Sequence, residues 1–77
     1  MAYWFVQQRE AGGFPIERAE VGNCELSVLF VGGEWQWLVR RGRHNLAEGV
    51  ARASRAARQQ AEAMAHRINA AAMPQAA

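Results

Sequence analysis

The sequence predicts an α+β fold: an antiparallel β-meander of three to four strands with one long C-terminal α-helix packed on one face. Two observations point there. Two alternating runs joined by Gly32-Gly33 read as a hairpin, and residues 54–72 are built of good helix formers carrying a single apolar stripe. With 77 residues, 51% of them hydrophobic, the chain holds one core and no second domain. The sheet region spans about 3–52, the helix about 54–72, and a tail at 73–77 is expected to fray after Pro74.

The hairpin fixes its own register. A two-residue Gly-Gly turn suits the primed geometries, which need positive φ. With Val31 opposite Glu34, Phe30 faces Trp35, Val28 faces Trp37 and Leu26 faces Val39. Three apolar cross-strand pairs then share one face, and a one-residue slip would scatter them. The opposite face sets Glu25 across from Arg40, Ser27 across from Leu38 and Leu29 across from Gln36. Such a mixed face is either wet or an interface.

Upstream, Tyr3–Gln8 clusters aromatic and branched residues and reads as another strand. Tyr3 and Trp4 point in opposite directions, so one of them is exposed. Gly12, Gly13 and Pro15 make a loop. Ile16–Val21 reads as a short extension or an edge strand, turned at Gly22-Asn23 into Cys24. Downstream, residues 46–52 admit two readings. Asn45 with Glu48 resembles a capping box, and Leu46 and Val50 extend the helical stripe backwards. Gly49, however, is costly inside a helix, and a hairpin loop at Arg41–Asn45 would return 46–52 as an edge strand. The strand is preferred, since it widens the sheet beneath the helix. In the helix itself, Ala57, Ala61, Met64, Ile68 and Ala72 form the stripe, and Ser54 is the expected N-cap.

Several classes drop out. No run approaches the ~20 apolar residues of a spanning helix. Met1–Arg9 lacks the basic start and apolar stretch of a secretory signal. Cys24 is the only cysteine, so there is no disulfide framework. The expectation is a protein of the bacterial cytoplasm that does not bind membranes. All nine basic residues are Arg and all seven acidic ones Glu, and Lys, Asp and Thr are absent, a bias expected of high-GC coding.

The chemistry-bearing residues are few. Cys24, His44 and His66 match no metal-ligand spacing. Cys24 falls on the core face, where a thiol is inert filler. His66 lies off the helical stripe and is solvated, and His44 belongs to a basic loop. The glycine pairs belong to turns rather than phosphate cradles. No catalytic, cofactor or metal residue is assigned, and the chain is not expected to be an enzyme.

Charge is segregated. Residues 1–39 carry two Arg against five Glu, and residues 40–77 carry seven Arg against two Glu. The density peaks in Arg40, Arg41, Arg43, His44, Arg52, Arg55 and Arg58. If the loop at 41–45 adjoins the helix start, these residues form one basic patch, and they are the candidate partner-binding set. Arg pairs with phosphates and is enriched at protein interfaces.

The segments Trp35-Gln-Trp-Leu-Val and Leu46-Ala-Glu-Gly-Val-Ala, followed by Ser54 and an Ala-rich helix, resemble the plan of small phage-encoded anti-CRISPR proteins. The resemblance is one of size and sheet-plus-helix layout, and no functional residue carries over. It implies a stoichiometric inhibitor without a cofactor. Such a protein would bind a Cas effector or a type I surveillance complex and block target-DNA binding. The rival reading is a small nucleic-acid-binding or regulatory module using the Arg cluster at 40–58. Under the inhibitor reading, contact with free nucleic acid is weak. A homodimer is a third expectation, because Leu29, Val31 and Leu38 leave the second sheet face unusually apolar for a two-layer fold.

Overall fold

The computed structural model describes residues 2–7 and 15–72. The predicted class is right, with one more strand than expected: a five-stranded antiparallel sheet in the order β1-β2-β3-β4-β5, followed by one helix. The strands are β1 (Phe5–Gln7), β2 (Ile16–Val21), β3 (Cys24–Val31), β4 (Glu34–Arg41) and β5 (His44–Ala51), and α1 is Ser54–Ala72. The extra strand arises because Ile16–Val21 is a full strand, pairing with both neighbours, rather than an extension. The proposed loop at Gly12-Gly13 and the tail at 73–77 lie outside the described residues.

Three two-residue turns make the meander. Gly32 and Gly33 both take positive φ (57 and 82°), the signature of a type I′ hairpin. At Gly22-Asn23 and Gly42-Arg43 only the glycine is positive, which suits type II′. The β3–β4 register is the one that the Gly-Gly turn dictates, with Phe30 on Trp35, Val28 on Trp37 and Leu26 on Val39.

The segment at 46–52 is a strand, but its extent differs from the expected one. The β4–β5 connection needs only Gly42 and Arg43, so β5 begins at His44. A register shift opposite Val39/Arg40 then absorbs Leu46 as an extra residue. Glu48 and Val50 consequently lie on the sheet face away from α1, while Ala47, Gly49 and Ala51 face it. Val50 is 54% exposed and Leu46 38%.

The core lies between α1 and the inner face of the sheet. Ala19, Val21, Cys24, Leu26, Val28, Trp37 and Val39 are buried against Ala57, Ala61 and Ala65. Met64, Ile68, Trp4 and Trp35 are partly buried around them. An alanine ridge lets the helix lie close to the sheet, mainly over β3 and β4. Helix and strands are similar in length, since nineteen helical residues span about 27 Å and eight extended ones about 23 Å. Trp35 and Phe30 tilt against each other with ring centroids 5.0 Å apart, as their pairing requires. Of the two N-terminal aromatics, Tyr3 is the exposed one.

Ser54 is not the N-cap. The Ala57 amide donates to the Ala53 carbonyl at 3.0 Å, so Ala53 occupies the cap and Ser54 is the first helical residue. Alanine offers no side-chain acceptor, and the first helical turn contains no acidic residue. Ala53→Asp should therefore stabilise the protein by about 1 kcal/mol and raise its melting temperature by about 4–8 °C in a domain of this size. Thermal unfolding followed by circular dichroism reads this directly. An unchanged midpoint would mean that the chain enters the helix in a conformation no side chain can cap.

Candidate interaction surfaces

The seven candidate contact residues do not form one patch. β5 separates the Gly42-Arg43 turn from the helix start, and eight strand residues put about 23 Å between them. Arg40, Arg41, Arg43 and His44 therefore lie at one end of the sheet, and Arg52, Arg55 and Arg58 at the other. The assumption that the 41–45 loop adjoins the helix start fails because residues 44–45 are already part of β5.

Three of the seven are engaged within the chain. Arg40 Nη2 donates to the Gly42 carbonyl at 3.4 Å. Arg58 reaches across to β2, its Nε 3.3 Å from Glu17 Oε1. Arg41 points to the helix side, where its Nη2 donates to Asn69 Oδ1 at 3.4 Å and lies 3.9 Å from Cys24 Sγ. Arg43, His44, Arg52 and Arg55 are exposed and have no hydrogen-bond or ion-pair partner among the described residues.

Cys24 is fully buried, as its place on the core face predicts. Its thiol donates to Asn69 Oδ1 at 3.7 Å. Asn69 in turn donates through Nδ2 to the Val21 carbonyl at 2.8 Å. This side chain ties the last turns of α1 to the β2–β3 hairpin. Gly22 makes room for it: a Cβ there would stand 2.5 Å from Asn69 Nδ2. The cluster is a structural clip, and Asn69 is a residue that sequence reasoning missed, since a polar side chain near a helix end carries no signal of its partner. His66 is exposed on the helix. Among the described residues no three His, Cys, Asp or Glu side chains converge as a metal site.

Two further polar ties flank the alanine ridge. Trp37 Nε1 donates to Gln60 Oε1 at 2.9 Å, and Trp4 Nε1 donates to Glu62 Oε2. Both indoles thus bury their rings while satisfying their N–H on the helix.

Among the described residues nothing covers the outer face of the sheet. It carries apolar Phe5, Ile16, Leu29, Val31, Leu38 and Val50 among Arg18, Glu20, Glu25, Arg40 and Glu48. A shallow hollow of about 380 Å³ lies there over β3, β4 and β5, walled by Leu29, Gln36, Leu38, Glu48 and Val50. Two cations on this face are incompletely served: among the described residues, Arg18 Nε and Arg40 Nε are shielded from solvent without a hydrogen-bond partner. Among the described residues, no helix is long and apolar enough to cross a membrane.

No family model, curated protein or solved structure matches the chain.

Proposed function

We propose that this chain is a stoichiometric binding protein that uses exposed arginines at the ends of its sheet, Arg52 and Arg55 above all, to occupy a partner's surface. One observation carries the reading. Arg52 and Arg55 lie at the N-terminal end of α1, where the helix dipole disfavours a cation, and no acidic residue in the first turn offsets them. Their side chains are exposed and bond to nothing among the described residues. Charges that cost stability and serve no internal contact are the pattern of residues kept for binding.

The resemblance in size and plan to small phage inhibitors supplies the partner class: a nucleic-acid-handling complex, specifically a Cas effector or type I surveillance complex whose target-DNA binding would be blocked. Arg43 and His44, at the opposite end, form a second contact of the same kind. A triple variant, Arg43→Glu with Arg52→Glu and Arg55→Glu, tests this. These side chains stand clear of the core, so the fold should persist while binding to purified effector components falls at least about a hundredfold. Wild-type protein should bind free duplex DNA only weakly, and that binding should drop steeply with salt. The discriminating pair of measurements is a pull-down with effector components beside a mobility-shift assay at physiological salt. Tight DNA binding without effector binding would overturn the inhibitor reading in favour of a nucleic-acid-binding module.

A further inference from the structure

We propose that the uncovered face of the sheet binds a second copy of this chain, face to face, about a twofold axis running parallel to the strands between β3 and β4. The inference rests on the pairing registers and is independent of the functional reading above.

Those registers arrange the outer face in cross-strand rows. One runs Phe5–Arg18–Ser27–Leu38–Glu48. A second runs Glu20–Glu25–Arg40–Asn45. A third runs Leu29–Gln36–Val50, with Ile16 continuing it one step beyond the last β2–β3 pair. A twofold axis between β3 and β4 exchanges β3 with β4 and β2 with β5 while keeping each row on itself, and leaves β1 beyond the overlap. Arg18 then meets Glu48 of the second copy, Glu25 meets Arg40, and Ile16 meets Val50. Each contact occurs twice, as an isologous interface requires. The same rotation carries Ile16 and Leu29 of the second copy over the hollow walled by Leu38, Glu48 and Val50.

Other placements of the axis fail on charge. An axis over β3 sets Glu25 against its own copy, and one over β4 does the same for Arg40. An axis across the strands, midway between the Ser27 and Leu29 rows, lays Arg18 on Ile16 and Glu48 on Val50. Among these placements, the one between β3 and β4 sets Arg18 on Glu48 and Glu25 on Arg40, each twice, and brings Ile16 onto Val50. It also supplies carboxylates to Arg18 and Arg40, the two cations on this face whose Nε atoms lack a partner.

The geometry is that of an aligned sandwich, with sheets about 10 Å apart and strands crossing at about 30°. Four strands of eight residues or fewer present on the order of 500–600 Å² per copy, about 1,100 Å² in total, which clears the roughly 1,000 Å² expected of a biological interface. The helices lie on the outside. The two Arg43 turns then share one end of the assembly, and both helix starts share the other, doubling each basic end.

Sedimentation equilibrium from micromolar to submillimolar concentration tests the proposal. Wild type should populate a dimer. Arg18→Glu alone and Glu48→Arg alone should each raise the dissociation constant on the order of a hundredfold, since each places two like-charged pairs at the interface. An equimolar mixture of the two variants should restore the dimer, because every such contact then joins opposite charges. Within one chain, Arg18 and Glu48 stand three strand spacings apart, about 14 Å, so an intramolecular effect cannot produce that rescue. Circular dichroism of each variant verifies the fold. A monomeric wild type across the range, or a mixture no more associated than its components, would overturn the proposal.

Discussion

Replacing Trp37 with alanine should remove about 3–5 kcal/mol of stability. That is a large share of the roughly 4–12 kcal/mol expected of a domain this size. Trp37 is 7% exposed and lies in the middle of β4 directly beneath α1. Truncation opens a cavity between the sheet and the alanine ridge, and small alanine side chains cannot collapse into it. It also leaves Gln60 without its indole donor. The melting temperature should fall by on the order of 20 °C, with loss of a cooperative transition if the wild type is near the lower end of that range. Trp35→Ala provides the contrast. Trp35 is only half-buried at the end of the hairpin, so its loss should cost less. Equal midpoints for wild type and Trp37→Ala would show that this face is not the core.

Gly49→Ala should destabilise by about 1–3 kcal/mol, the range for overpacking a filled core. This runs against the usual expectation for a glycine in a strand, where alanine gains about 0.5–1 kcal/mol from backbone entropy. The steric term decides. Gly49 pairs with Trp37 across β4–β5, and the indole lies flat over it. An added Cβ would stand 2.6 Å from Cζ2 and 2.8 Å from Nε1 of the indole. The ring must move, and with it the Nε1 that donates to Gln60. A double-mutant cycle isolates the cause. In a Trp37→Leu background the penalty of Gly49→Ala should vanish or reverse, giving a coupling of about 1–3 kcal/mol. A penalty of the same size in both backgrounds would place its origin elsewhere.

Gly49 also shows where the sequence could and could not be read. The β3–β4 hairpin was legible residue by residue, because a two-residue turn and the period of a strand leave one register that gathers the apolar pairs. The helix was legible from composition and stripe. The strand at 44–51 was legible only as a choice between two forms, and its logic ran opposite to hydrophobic patterning. Of its large apolar residues, Val50 faces away from the helix and Leu46 is the extra residue at the register shift, while its inner face is Ala47, Gly49 and Ala51. That face is small because Trp37 already fills the space, a fact that resides in the neighbouring strand. The basic patch failed for a related reason. Shortening the β4–β5 connection to two residues lengthened β5 and carried the arginine groups to opposite ends. Asn69, Gln60 and Glu62 were illegible, since each is an ordinary polar helical residue until its partner is known.

The alanine ridge has a consequence for what makes the native arrangement unique. Ala57, Ala61 and Ala65 present a smooth surface along the middle of the interface, and the larger Met64 and Ile68 are only partly buried beside it. A helix with such a surface can slide or roll by several ångströms with little change in buried apolar area. Hydrophobic burial thus holds α1 against the sheet without fixing its position along it. Position comes from side chains that reach over the rims of the ridge: Gln60 to Trp37, Glu62 to Trp4, Arg58 to Glu17 and Asn69 to Val21. They act as pins on a sliding bolt. Stripped of them, the chain would stay collapsed with its strands and helix formed but with the helix no longer locked in one place, a state of molten character. In this protein, cohesion and uniqueness are carried by different atoms: cohesion by carbon in the middle of the interface, and uniqueness by nitrogen and oxygen at its margins.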